Sequence, residues 1–265
     1  MILGMDVSHW EEKVDWSLLK SVGVEFVFIK ASQGNYLRDP MLKSHVAGAS
    51  AAGLMVGAYH WCDPNIDARA QAEYSLKQIE GLPICFLAAD VEQHWQDWQE
   101  WRQGHITKQV PPVQISRNAQ EIANYWKSKA KLPVIIYTRA SFVNTYAAPA
   151  QAWLPNFPLW VAHYPYQPTR IQTTWDDFKA KHLPGIQSPA LPTGCHDWQF
   201  WQFTGDKFYL PGVSGAIDLN FFNGNLKDLQ EFAGCASQPT NLSALPLTER
   251  LLRLESEARL HGWSI

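Results

Sequence analysis

Short apolar runs recur along the chain, each ending in a polar or charged residue: 2–6, 25–30, 55–61, 84–92, 133–138, 158–164, 198–203 and 216–220. Runs of this length, bounded by turn residues, predict strands buried on both faces. Between the first five lie stretches with apolar residues at helical spacing. Residues 18–22 are a short one, and 40–53 closes on Gly53 as its C-cap. In 67–81, Ala68, Ala72, Leu76 and Ile79 fall on one side. The stretch 116–131 has Ser116 as N-cap and Pro133 as its stop, and 139–146 continues strand five as a short helix.

After strand six the rhythm changes. Residues 165–196 hold five prolines (Pro165, Pro168, Pro184, Pro189, Pro192) and one helical piece near 175–182. Residues 204–215 contain Gly205, Gly212 and Gly215 and lack helical periodicity. A parallel crossover needs a dozen or more residues, usually helical, so this link suits a hairpin. The expected fold is α/β, an irregular TIM-like barrel of eight strands. Its helices interleave mainly in the first five βα units, its last strands are partly antiparallel, and 221–234 is a closing helix or loop.

Two segments stand outside that alternation. Residues 93–112 are polar and Trp-rich, with Trp95, Trp98 and Trp101 at spacing three, which predicts a helical turn carrying an aromatic stripe. The stripe is either a satellite packed on the barrel or a wall beside the end of strand four. Residues 237–246 read as a Pro/Ser/Asn linker, and 248–261 as an amphipathic helix with Leu247, Leu251, Leu254 and Ala258 on one stripe. Two heptads do not hold a helix alone, so this one is expected to dock on the barrel or on a second copy, or to bind a partner. The expected division is a barrel over 1–236 and a linker with helix over 237–265.

Composition narrows the function. A chain of 265 residues supports one large domain or two small ones. A net charge of -3 leaves no basic footprint for nucleic acid or an anionic membrane, and no apolar run reaches transmembrane length. Cys62, Cys85, Cys195 and Cys235 are scattered and imply no disulfide framework or zinc site. Nucleotide and zinc-protease motifs are absent, so no cofactor or metal is expected. The N-terminal residues lack a charged segment followed by a long apolar one. That suits a protein made in the cytoplasm and acting after release, or a secreted one whose leader has been removed. Thirteen tryptophans suit both sugar stacking and core filling.

The candidate chemistry sits at strand ends. Side chains alternate along a strand, so Asp90 and Glu92, at the end of the fourth apolar run, project to the same side. Barrel enzymes build their sites at the C-terminal ends of such strands. Asp6, Lys30, Tyr59, Tyr137, Tyr164, Gln202 and Asp218 end other runs. Clustered acids there suggest a carboxylate active site.

These residues in this order resemble glycoside hydrolase family 25, the Chalaropsis-type lysozymes. Gly4-Met5-Asp6-Val7-Ser8 with Val14-Asp15-Trp16 is similar to the family's opening strand and loop. Residues 28–34 and 51–60 look like its second and third strands, Asp90-Val91-Glu92 its Asp-x-Glu, Trp201-Gln202-Phe203-Thr204 its late Trp-Gln motif, and Ile217-Asp218-Leu219-Asn220 its final strand. The matches run collinearly from residue 4 to about 224. Gln33 stands where many members carry Glu, a variation not expected to abolish activity; the 93–112 insertion exceeds that of minimal members.

The resemblance implies an N-acetylmuramidase, possessing bacterial peptidoglycan as its partner and cleaving between N-acetylmuramic acid and N-acetylglucosamine, as in phage or prophage endolysins. It implies Glu92 as general acid, its pKa raised by Asp90 and Asp6, and Asp90 as the residue that positions the substrate acetamido group for retaining, substrate-assisted attack. Direct attack by Asp6 or Asp218, or water activation with inversion, stays open at this point. Tyr59, Tyr137, Tyr164, Gln202 and Lys30 are expected to hold the sugar. A chitinase-like hydrolase and a non-catalytic wall-binding or phage structural barrel are the alternatives.

Overall fold

The computed structural model describes residues 1–166 and 171–234, so the expected linker and C-terminal helix of 237–265 lie outside the described residues. Eight strands close a barrel: β1 (Ile2–Val7), β2 (Val24–Gln33), β3 (Met55–Trp61), β4 (Phe86–Asp90), β5 (Val134–Thr138), β6 (Leu159–Ala162), β7 (Phe200–Tyr209) and β8 (Ile217–Phe222). Pairing is parallel from β1 through β7 in chain order. The last two contacts, β7–β8 and β8–β1, are antiparallel. The reason is the link: residues 210–216 are too few for a parallel crossover, so β8 returns as a hairpin. Two-residue strands at Leu37–Arg38 and Ile171–Gln172 pair with β2 and β7.

Helices α1 (Trp16–Ser21), α2 (Leu42–Ala51), α3 (Ala68–Ile79), α4 (Trp98–Arg102), α5 (Pro112–Lys129) and α6 (Ala140–Tyr146) fall between the early strands; α7 (Trp175–Lys181) and α8 (Leu226–Ala233) follow. Caps follow the sequence: the Asp67 carboxylate accepts from the Ala70 amide at the start of α3, and Gly53 takes a left-handed φ of 77° just past α2. The start of α5 differs from the expected Ser116. It begins at Pro112, where the missing proline N–H costs no hydrogen bond, and Ser116 is buried inside the helix with its Oγ accepting from Trp153 Nε1 at 3.0 Å.

Outside the barrel wall, Leu, Ile, Val and Ala of the strands pack under the helices, as parallel strands buried on both faces require. Inside, the barrel is filled with aromatic rings. Phe28 stacks on Trp160 at 3.9 Å and meets Phe86 and Phe200 edge-on at 5.0 Å. Glycines make the room: a Cβ on Gly4 would lie 2.3 Å from the Phe26 ring, and one on Gly57 2.1 Å from Phe86. Trp160 Nε1 donates to Asn220 Oδ1 at 2.7 Å, which satisfies the one polar atom of that ring in the plug. Cys62, Cys85 and Cys195 are buried. Among the described residues no helix is long and apolar enough to cross a membrane.

Candidate active site

Above the aromatic plug, the strand ends open into a cleft of about 490 Å³. Eight of the nine residues expected at the site line it: Asp6, Lys30, Tyr59, Asp90, Glu92, Tyr137, Gln202 and Asp218. Tyr164 joins through its hydroxyl, which donates to Gln202 Oε1 at 2.7 Å. Each position follows from its strand. Asp90 is the last residue of β4, and Glu92 lies two residues beyond it rather than within the strand. The alternation nonetheless continues, because the Val91 amide donates to Tyr137 O and Thr138 Oγ1 donates to Val91 O, both at 2.9 Å. Both carboxyls therefore enter the cleft.

Gln202 organises the opposite wall. Its Oε1 accepts from Tyr137 and Tyr164 hydroxyls at 2.7 Å each, and its Nε2 donates to Asp6 Oδ2 at 2.9 Å and Asp218 Oδ2 at 3.1 Å. Two hydroxyl donors on one side and two carboxylate acceptors on the other fix the amide's orientation. Asn220 Nδ2 adds a second donor to Asp6 Oδ2 at 2.8 Å. Asp6 and Asp218 are direct partners in the β1–β8 register, which is why the first and last strands deliver their acids to one place.

Burial dominates the titration of this site. It pushes the Glu92 carboxyl up against the opposing pull of Arg139 and Lys30. Desolvation is the leading cause, ahead of the charges of Asp90 and Asp6 that the sequence suggests. Asp90 is driven well above the ordinary carboxyl range by burial and then by Glu92, with Lys30 opposing. The pair is close enough to titrate together. Lys30 is itself lowered by burial, while Asp90, Asp39 and Glu92 favour its charge. Tyr59 and Tyr137 are pushed up by burial, so both remain hydroxyl donors.

Asp6 is raised from 3.8 to about 7 by burial, against the hydrogen bonds from Asn220 and Gln202. Between those values the folded protein holds a proton that the unfolded chain has released. This contribution to stability is full below pH 3.8 and is lost as pH rises through about 7. Asp6→Asn keeps an oxygen for both amide donors and cannot ionise. Its melting temperature is expected to fall less than the wild type's between pH 4 and pH 8, as read by thermal denaturation at each pH; parallel curves would refute the assignment.

Several residues of the site were not singled out from the sequence. Arg139, the residue after β5, lies 5.0 Å from the Tyr164 ring centroid and acts on Glu92. Its place immediately past a strand's C-terminal end was the available signal. Trp61 lines the cleft two residues after Tyr59 on the same strand, with Lys30 Nζ 5.1 Å from its centroid. Trp160, Trp10 and Glu11 also line the cleft; the last two follow β1 in a loop, where periodicity carries no information.

The 93–112 insertion folds back on itself. Trp95 bridges Gln109, and Val110 N donates to His94 O at 2.8 Å. The expected helical turn is α4, capped by Asp97. The stripe is stacked: Trp95 on Trp101 at 4.8 Å and Trp101 on Trp98 at 4.5 Å. Trp61 meets Trp95 at 6.2 Å and donates from Nε1 to Gln93 Oε1 at 2.9 Å.

The family model of glycosyl hydrolases family 25 matches residues 5–213. The chain is 29% identical to lysozyme M1 of Streptomyces globisporus over 240 residues, which span 88% of this chain and 71% of that protein. It is 32% identical to the N,O-diacetylmuramidase of Arthroderma benhamiae over 253 residues, 88% of this chain and 86% of that one. The crystal structure of the bacterial lysozyme from Streptomyces coelicolor superposes with a TM-score of 0.69 at 28% identity, covering 88% of this chain and 96% of that chain.

Proposed function

The chain belongs to glycosyl hydrolases family 25, and from that membership we propose that it is a muramidase acting on peptidoglycan through Asp90 and Glu92. The observation that carries the residue assignment is the pair itself. Two carboxyls, Asp90 buried and Glu92 half-buried, both with raised pKa, share the cleft, and Asp90 Oδ1 has no hydrogen-bond partner among the described residues. Glycoside hydrolysis needs one carboxyl protonated to release the leaving oxygen and negative charge near the anomeric carbon.

In this reading Glu92 is the acid. Its proton is transferred to the glycosidic oxygen as the bond to the anomeric carbon breaks. Asp90 accepts from the acetamido N–H of the muramyl unit, turning the acetamido oxygen toward the anomeric carbon to form an oxazolinium ion. Water then opens that ion, with Glu92 taking the water's proton back. A donor to Asp90 favours its charged form and so places the pair's proton on Glu92. Tyr59 and Lys30 supply donors to the bound sugar, Tyr137, whose O–H is given to Gln202, accepts from it, and Gln202 holds Asp6 and Asp218 in place with Tyr164 behind it.

The test is digestion of purified bacterial cell walls with the newly exposed reducing ends identified. Reducing N-acetylmuramic acid is the expected product. Walls bound but left uncut would make the barrel a binding module, and faster cleavage of chitin oligomers than of peptidoglycan would make it a chitinase-like hydrolase.

A further inference from the structure

The tryptophans of the insertion form a chain of ring contacts that begins inside the cleft and ends in solvent. Trp61 lines the cleft and touches Trp95; Trp95 is 4% exposed and stacks on Trp101, which stacks on Trp98. Trp101 and Trp98 are 37% and 43% exposed. The row bends at Trp101, since Trp95 and Trp98 are 6.4 Å apart. Trp98, stacked on Trp101, keeps 43% of its surface exposed.

Hydrogen bonds tie down the excursion from the barrel that carries the cluster. Asn65 Nδ2 and Gln93 Nε2 both donate to Trp95 O at 3.2 Å. The Glu100 carboxylate accepts from the Thr107 amide at 2.8 Å and from its hydroxyl, tying α4 to the returning segment. Exposed indoles fixed in this way lose little conformational freedom when a ligand arrives. Two half-exposed rings are too small a patch for a stable protein interface, but an indole face matches the C–H face of a pyranose. Gln99 and Gln103, exposed on or beside the same helical turn, offer partners for hydroxyls.

We propose that Trp98 and Trp101 form a stacking subsite for the glycan strand of peptidoglycan, continuing outward from Trp61 in the cleft wall. The proposal deepens the muramidase reading and rests on it for the identity of the glycan. The subsite engages strands that extend past the cleft, so it favours long substrates over fragments that fill the cleft alone.

The experiment uses the full chain in a Glu92→Gln background, so that nothing is cleaved, and measures binding by calorimetry. The probes are long glycan strands stripped of peptide and a fragment of two disaccharide repeats. Trp98→Ala is expected to weaken binding to the long strands about tenfold, the loss of one stacked sugar, while changing the ratio of long to short affinity by the same factor. Trp98→Tyr, which keeps an aromatic face, is expected to restore most of that ratio. An equal loss on both probes would mean that Trp98 only props the cleft and would overturn the proposal, as would an unchanged ratio. The muramidase reading fails separately, through the absence of reducing ends from wild-type digests.

Discussion

Glu92→Gln is expected to reduce the release of reducing ends from cell walls by about 10²- to 10⁴-fold, the range over which a general acid contributes. The substitution keeps the size of the side chain and replaces the acidic carboxyl with an amide that cannot give up a proton. Glu92 sits just past β4 with its carboxyl pushed up by burial, against Arg139 and Lys30. Those two cations matter to the expected pH profile. Activity needs the protonated form, so the rate is expected to fall as pH rises through the raised pKa of Glu92. Arg139→Gln removes a charge that opposes protonation, and should move that fall to higher pH. Rates on walls across the pH range check both statements. A Glu92→Gln protein that retains a tenth of wild-type activity would remove Glu92 from the acid's role.

Asp90→Asn is expected to lower the rate by about 10²- to 10³-fold, the typical effect of deleting one preorganised electrostatic partner of a charged transition state. The expected defect is in kcat, because the negative charge counts most when the oxazolinium ion forms. The wild-type product should retain its anomeric configuration, as followed by proton NMR of the first turnover. Inverted product would rule out acetamido participation and return the role to a water activated by a carboxylate. A de-N-acetylated substrate offers a second check. It has no acetamido oxygen to attack, so wild type and Asp90→Asn should process it at similarly low rates.

Much of this site is legible in the sequence, and the reason is geometric. A parallel strand ends where its apolar run ends, so Asp6, Lys30, Asp90 and Tyr137 announced themselves as the first polar groups after buried segments. The hairpin between β7 and β8 was legible because a short Gly-containing link cannot cross back over a sheet. What stayed illegible depends on partners remote in sequence. Nothing local says that Gln202 divides its amide among four side chains from four separate stretches of the chain. Nothing local tells Ser116 as an N-cap from Ser116 as an acceptor for Trp153 inside α5. The spacing of Trp95, Trp98 and Trp101 indicated a stripe, but only folding shows that it abuts Trp61. The desolvation that leads the rise of the Glu92 pKa is illegible for the same reason, because depth is a property of the whole barrel.

The bonds that hold Asp6 join it to Gln202 and Asn220, which lie 196 and 214 positions away along the chain. Loop closure over such spans comes late, and contacts this non-local slow the search for the native state. During synthesis Asp90 and Glu92 leave the ribosome long before β8 exists to meet β1. A nascent chain thus carries its acid pair on an unclosed sheet, without the amides that hold Asp6 and without Asn220 to satisfy the plug's Trp160. The cleft is finished only when the two ends of the barrel join, so the timing of activity is set by closure rather than by the appearance of the acids.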